Sequence, residues 1–66
     1  MRTRFLIQKG AAYLLDIDED AKRIVTVATR EHAVPFPRIV NAQIVINTLK
    51  SDGYDMEGCE IVADAR

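Results

Sequence analysis

The chain contains a single cysteine, no tryptophan, two phenylalanines and two tyrosines. With Cys59 alone, neither an internal disulfide nor a cysteine-based metal site can form within one chain. Because large aromatic residues are scarce, the core must be built mainly from isoleucine, valine and leucine. Close packing of such small side chains leaves little room for an internal ligand cavity.

Neither sign of charge dominates, since nine Lys and Arg residues oppose ten Asp and Glu residues for a net charge of −1. This balance argues against a strongly basic nucleic-acid binder and against a highly acidic DNA mimic. No apolar run approaches the ~20 residues that span a bilayer. The apolar stretch after Arg4 is interrupted by Gln8 and Lys9, so it does not predict a secretory signal. We therefore expect a cytoplasmic protein with no membrane association.

The length of 66 residues predicts one domain, residues 1–66. A chain this short buries only ~60% of the surface that its unfolded form exposes, so its stability should be marginal. Since disulfides and cysteine-bound metals are excluded, we expect oligomerisation, and specifically a homodimer, to supply further stability.

Four segments have the β-branched or alternating composition of strands. They are residues 4–8, 12–17, 23–29 and 59–63. In the second segment, alternation predicts Tyr13, Leu15 and Ile17 on one face and Leu14 and Asp16 on the other. The third has two faces of similar polarity, which suits a central strand or one whose second face meets a partner. The fourth alternates as a half-buried or edge strand does.

One segment, residues 37–51, has the three- and four-residue apolar spacing of a helix. Its main stripe is predicted to comprise Ile39, Ala42, Val45, Ile46 and Leu49. Pro37 is predicted as the first helical residue and Gly53 as the stop residue. Val40 and Ile44 widen the apolar arc, either as additional core contacts or as an exposed strip used for self-association.

The turn signals between these segments fix the predicted order. Gly10 fits either a tight turn between two strands or a bulge in one long strand, and the turn is favoured. Residues 18–22 are expected to form a hairpin loop, and Phe36 an anchor between two prolines. The resulting fold class is α+β: a small antiparallel sheet of three to four strands with one helix packed on one face, in the order β-β-β-α-β. The opposite face of the sheet has no predicted cover.

The candidates for chemistry are few. Asp16, Asp18 and Asp20 alternate as calcium ligands do, but Ala21 and Val27 occupy the positions where a calcium loop needs Gly and Glu. His32 has no partner that would make a triad. Cys59 lies beside Glu60, whose charge would raise the pKa of the thiol. We therefore predict no enzyme activity, and no catalytic, metal-binding or cofactor-binding residues.

Basic residues accompany the first three predicted strands. Arg4, Arg23 and Arg30 are the binding candidates among them, and Arg2 would join them in contacting nucleic acid. If they cluster, they could hold single-stranded nucleic acid on a sheet. Only Phe5 and Tyr13 are available to stack with bases. The other interpretation is an ordinary charged rim that protects strand edges.

A resemblance is carried by apolar and turn positions spread over most of the chain. They are Tyr13-Leu14, Ile24-Val25-Thr26, Ala33-Val34-Pro35-Phe36, Ala42, Val45, Ile46, Leu49 and Gly53-Tyr54. In this pattern the chain resembles small β-β-β-α-β proteins encoded by bacteriophages and prophages, many of which have no assigned function. The resemblance implies a fold and an origin, and it supplies no catalytic residues. The prolines flanking Phe36 depart from the more acidic helix starts of that group.

These observations together predict a non-enzymatic protein-binding module, and the resemblance suggests a phage-encoded inhibitor or modulator of a host protein. The partner's identity is not predicted. The predicted binding residues are Arg4, Arg23, Arg30, Val40 and Ile44. The alternative prediction is a nucleic-acid-binding module that uses a basic sheet rim.

Overall fold

A computed structural model describes residues 3–65 and confirms the predicted β-β-β-α-β order. The elements are β1 (Thr3–Lys9), β2 (Ala12–Asp18), β3 (Arg23–Val27), a 3-10 helix (Arg30–His32), α1 (Ile39–Ser51) and β4 (Cys59–Ala65). The four strands form one antiparallel sheet in the order β3-β2-β1-β4. Within residues 3–65, neither helix has the length and apolar character needed to cross a membrane.

The strand order makes β3 and β4 the two edges of the sheet. For β4 the sequence left a half-buried antiparallel or an edge strand open, and the strand is an edge. Of the two interpretations of β3, the central strand is excluded, and contact of its second face with a partner stays a prediction. Strand β4 returns after the helix and pairs with β1 over seven residues, which leaves β3 with β2 as its single neighbour. β-Branched residues on both faces favour an extended strand, but they do not specify its number of neighbours.

The β1–β2 hairpin turns at Gly10, as predicted. Lys9 pairs with Ala12, so Gly10 and Ala11 form a two-residue loop, and Gly10 has a φ of 62°. A positive φ at the first loop position is typical of the type II′ turns that close tight hairpins. Beyond this turn only Gln8 pairs with Tyr13 before the two strands separate.

A bulge at Leu15 overturns the predicted faces of β2. Leu14 pairs with Thr26 and Asp16 with Val25, so Leu15 is the additional residue. One extra residue shifts the alternation of the strand by one position. Leu14 is consequently buried and both it and Ile17 contact the hydrophobic core, whereas Leu15 is 38% exposed.

The gap between β1 and β2 is filled by the segment that precedes the helix. Phe36 exchanges two backbone hydrogen bonds of 2.8 Å with Phe5 of β1, and the Val34 amide donates to the Leu14 carbonyl of β2 at 3.0 Å. Phe36 is buried in the core cluster with Ile7. The predicted anchoring role of Phe36 is therefore confirmed. Its side chain packs in the core, and its backbone is hydrogen-bonded to β1.

The start of the helix differs from the prediction, because Arg38 is the N-cap and Ile39 the first helical residue. Pro37 remains outside the helix, since the bridge at Phe36 holds the chain extended and Arg38 still has φ −139° and ψ 154°. Ala42 and Leu49 are buried, and Val45 and Ile46 are partly buried. Ile39 is 56% exposed, so its assignment to the buried stripe was wrong.

The end of the helix confirms the role predicted for Gly53, which has a φ of 92°. The Gly53 amide donates to the Lys50 carbonyl and the Tyr54 amide to the Leu49 carbonyl. This pair of bonds is a Schellman motif. Leu49 and Tyr54 also share a hydrophobic cluster with Met56, which fixes the path from α1 toward β4.

Candidate protein-binding surfaces

The sheet face opposite the helix carries a charged group, here called the Asp64 cluster, formed by Arg4, Asp64, Arg30 and Tyr13. Arg4 and Asp64 are directly opposite in the β1–β4 pairing. The Arg4 Nε donates to Asp64 Oδ2 at 2.9 Å, and Arg30 Nη1 donates to Asp64 Oδ1 at 3.4 Å. Asp64 is only 4% exposed. Two guanidinium groups therefore compensate the charge of one buried carboxylate.

Arg30 reaches this face from the 3-10 helix. Its Nη2 donates to the Tyr13 hydroxyl at 3.4 Å, and its guanidinium lies 5.8 Å from the centre of the Tyr13 ring. The hydrogen bond to Tyr13, followed by the interaction with Asp64, raises the pKa of Arg30 above its ordinary value. The Arg30 carbonyl also accepts a bond from Arg4 Nη2 at 3.4 Å. These contacts fasten the 3-10 helix to the sheet.

The face opposite the helix is consequently less open than the sequence predicted. Leu6 lies on this face, since its neighbours Phe5 and Ile7 point into the core beneath the helix, and Leu6 has no solvent exposure. The exposed apolar residues of the two neighbouring strands are Leu15 and Val25, at 38% and 40%. The uncovered apolar surface is therefore limited to the β2–β3 side.

The predicted basic residues Arg4, Arg23 and Arg30 do not form one patch, and Arg2 lies outside the described residues. Arg4 and Arg30 meet at Asp64, whereas Arg23 begins β3 and pairs in register with Asp18 beside the hairpin loop. Each of these arginines thus has a carboxylate as ion-pair partner or cross-strand neighbour. The nucleic-acid hypothesis stays a prediction, but the balanced charge on this face does not favour it.

The helix presents an apolar strip, here called the outward strip, formed by Val40 and Ile44. The two residues are four positions apart and so lie one above the other on the same helix face. Each is 56% exposed, whereas Ala42 and Leu49 on the opposite side of the helix are buried. Of the two interpretations left open by the sequence, additional core contact is excluded. The strip is exposed, and its use for self-association stays a prediction.

Three residues considered for metal binding or catalysis, Asp16, Asp18 and His32, make hydrogen bonds to residues close to them in sequence. Asp16 Oδ1 accepts from the Ile17 amide and Asp18 Oδ1 from the Ala21 amide. Within residues 3–65, no group of three or more acidic, histidine or cysteine side chains is arranged to hold a metal ion. His32 is exposed, and its Nδ1 lies 2.8 Å from Thr29 Oγ1.

Cys59 lines a groove beside the helix, together with Ile46, Lys50 and Met56. Burial raises the pKa of the Cys59 thiol, nearby Asp55 raises it further, and Lys9 opposes them. A raised pKa lowers the fraction of the nucleophilic thiolate at neutral pH. The pKa shift has the predicted direction, but burial is its main cause.

Sequence reasoning missed Asp64 and Tyr13 as partners of the arginines. One signal was present: a charged residue within the apolar alternation of β4 requires a counter-charge when it is buried. The partner of Asp64 could not be identified without the β1–β4 register.

Sequence reasoning also missed a contact between the hairpin loop and the residue that follows the helix stop. Lys22 Nζ lies 5.4 Å from the centre of the Tyr54 ring.

No family model, curated protein or solved structure matches this chain.

Proposed function

We propose that this protein is a non-enzymatic protein-binding module and that it acts as a homodimer. The protein-binding role is supported best by the outward strip, because Val40 and Ile44 are each 56% exposed on a regular helix. Exposed apolar groups with a polar border are typical of protein interaction sites. The resemblance to phage and prophage proteins extends the proposal to a modulator of a host protein.

The residues around the outward strip define the chemistry of a fitting partner. Residues 38–51 contain Arg38 and Lys50 and no acidic residue, and Asn41, Asn47 and Thr48 border the strip. A partner should therefore offer an apolar patch with a neutral or acidic border. The Asp64 cluster stabilises the fold in this proposal and does not contact the partner.

The test is affinity capture from a bacterial lysate by the immobilised wild-type protein and two variants. Val40→Gln with Ile44→Gln removes the outward strip while keeping good helix formers. Leu15→Gln with Val25→Gln is the matched control, since it removes two exposed apolar residues from the sheet. We expect a stoichiometric partner that the wild type and the control retain, with binding reduced about tenfold or more in the helix variant.

Two outcomes would contradict the proposal. Loss of the partner only in the sheet variant would transfer the interface to the face opposite the helix. Absence of any stoichiometric partner, with all three proteins folded by circular dichroism, would remove the support for a protein-binding function.

A further inference from the structure

The pairing of β1 determines which backbone N–H and C=O groups of β4 point outward, away from the sheet. Phe5 directs its N–H and C=O to Phe36, on the side of β1 that faces β2. In an antiparallel ladder, successive residues of a strand direct these groups to alternate sides. Since Phe5 is paired with Ala63, the N–H and C=O of Ala63 must point away from β1.

The same alternation applies along the whole strand, so Cys59, Ile61 and Ala65 also point these groups outward. The Cys59 amide confirms the direction, because it donates to the Met56 carbonyl outside the ladder at 3.2 Å. Within residues 3–65, the outward N–H and C=O groups of Ile61 and Ala63 have no hydrogen-bond partner.

This edge lacks the features that usually prevent edge-to-edge pairing. Strand β4 pairs with β1 over seven residues without a bulge and contains no proline or lysine. Of its two acidic residues, Asp64 is drawn onto the sheet face by Arg4 and Arg30. Ala63 and Ala65 are exposed and too small to block an approaching strand.

By comparison, the other edge of the sheet, β3, is protected against pairing with another strand. Strand β3 has five residues, pairs with the bulged segment of β2 and begins with Arg23. Short length, a neighbouring bulge and a charged side chain are three of the known devices that protect an edge. Pairing with another strand is therefore favoured at β4.

The free groups select one register for pairing with a second copy. Since Met56 occupies the outward amide of Cys59, a partner strand can use only Ile61 to Ala65. A two-fold axis at Ala63 places Ala63 opposite its own copy and Ile61 opposite Ala65. An axis at Val62 would instead place Glu60 opposite Asp64, and like charges directly opposite are destabilising.

The helix adds a second contact at the same axis. Helical spacing places Ile39 on the same side of α1 as Gln43, Ile46 and Lys50, and these three line the groove with Met56. This side therefore faces the loop before β4 and the first residue of that strand, Cys59. Ile39 begins the helix shortly after Phe36, whose partner Phe5 is paired with Ala63, so it lies at the Ala63 end of the strand.

Helix α1 packs on both β1 and β4. A second copy paired at the outer edge of β4 would therefore bring the two helices side by side on the same face of the joined sheet. The exposed Ile39 side chains would then face each other above the paired strands.

We infer that a second copy of this chain pairs antiparallel with β4 about a two-fold axis at Ala63, which joins two sheets into one of eight strands. Closed two-fold pairing uses the same surface on both subunits. The inference rests on the homodimer of the proposed function and assigns it to β4 and Ile39. The outward strip stays free for a different protein.

Sedimentation equilibrium of the full chain over a wide micromolar range tests this inference. We expect the wild type to approach twice its monomer mass of 7.4 kDa as concentration rises. Ala63→Lys and Ile39→Lys place like charges at the axis, and each should raise the dimer dissociation constant by about tenfold or more. Thr26→Lys on the β3 edge and Val40→Lys on the outward strip are charge-matched controls that should leave it unchanged.

Amide hydrogen exchange supplies a readout that does not depend on any variant. In the wild type, the amides of Ile61 and Ala63 should gain protection as the protein concentration rises, and that of Thr26 should not. A wild-type monomer at all concentrations would overturn both the homodimer and this register, without affecting capture of another protein. A dimer that Ala63→Lys and Ile39→Lys leave intact would overturn the β4 assignment alone.

Discussion

At the scale of single residues, the Asp64 cluster shows how burial makes two similar ion pairs unequal. The side chain of Asp64 is 5% exposed, whereas those of Arg4 and Arg30 are 27% and 53% exposed. The shorter contact also belongs to the more buried arginine, at 2.9 Å against 3.4 Å. Arg4 should therefore contribute more to stability than Arg30, because water screens the exposed pair more strongly.

Replacement of each arginine by methionine tests this difference while keeping much of the side-chain volume. Arg4→Met should lower the free energy of unfolding by about 1.5–3 kcal/mol, the range for hydrogen bonds to charged groups. Arg30→Met should cost clearly less than Arg4→Met, because exposed ion pairs contribute little to stability. Urea unfolding followed by circular dichroism measures both, and an equal or reversed order would contradict the argument.

The sequence indicated these arginines as binding candidates but did not reveal that both pair with Asp64. Charge and strand position identified Arg4 and Arg30, yet Asp64 is 60 residues from Arg4 along the chain. A contact over such a separation depends on the strand register and is not encoded by local spacing. Arg23 shared the same sequence signal, and the register placed it at the other end of the sheet.

At the scale of elements, the most predictable feature is the end of the helix. A helix stop needs a residue with positive φ, and Gly53 occupies that position with its two characteristic hydrogen bonds. No atom lies within 4 Å of the place where a Cβ would be added at Gly53. Any cost of substitution there is therefore due to the backbone conformation and not to steric overlap.

Gly53→Ala should accordingly lower the free energy of unfolding by about 1–2 kcal/mol, the cost of a left-handed conformation for a residue with a Cβ. Ser51→Ala is the matched control, since Ser51 is exposed and ends the helix with ordinary helical dihedrals. It should change stability by less than about 0.5 kcal/mol. Equal effects of the two substitutions in thermal or urea unfolding would contradict the assignment.

Two elements were less predictable because tertiary contacts override local preference. Pro37 suits the first turn of a helix, but the backbone bridge between Phe36 and Phe5 delays the helix start to Ile39. Alternation in β2 fails at Leu15, where a bulge allows Leu14 and Ile17 both to reach the core. Bulges have no dedicated sequence signal, so the period of the pattern alone could not locate this one.

At the scale of the whole molecule, two separate surfaces remain available for association. The outward strip faces away from the sheet, and the edge of β4 lies to the side of the helix. A homodimer formed through β4 would thus display two outward strips related by the two-fold axis. Such a dimer could bind a symmetric partner at two points, which increases apparent affinity without any new contact.

Global stability should fall in alkaline solution. Burial raises the pKa of the Tyr54 hydroxyl, with further contributions from Glu19 and Asp52, and burial also raises the pKa of the Cys59 thiol. A group with a raised folded-state pKa retains its proton in the native protein after the unfolded chain has lost it. The unfolded chain therefore binds fewer protons, and the free energy of unfolding decreases as pH rises.

The decline should begin near pH 9, where the unfolded thiol titrates, and steepen near pH 10 with the unfolded tyrosine. Urea unfolding at several pH values measures it. Tyr54→Phe keeps the ring beside Lys22 and should reduce the slope above pH 10, and Cys59→Ala should reduce the slope that starts near pH 9. Slopes unchanged by both substitutions would show that other groups cause the decline.

Local chemistry by itself determined the β-β-β-α-β order, the turn at Gly10, the helix stop at Gly53 and the aliphatic character of the core. These features depend on backbone dihedrals and on periodicity within a few residues. Only the tertiary structure decided that β3 is an edge, that Asp64 joins Arg4 to Arg30, and that Ile39 is exposed. Each of these results depends on strand register and on chain segments that are distant in sequence, because burial and charge pairing are set by neighbours in space.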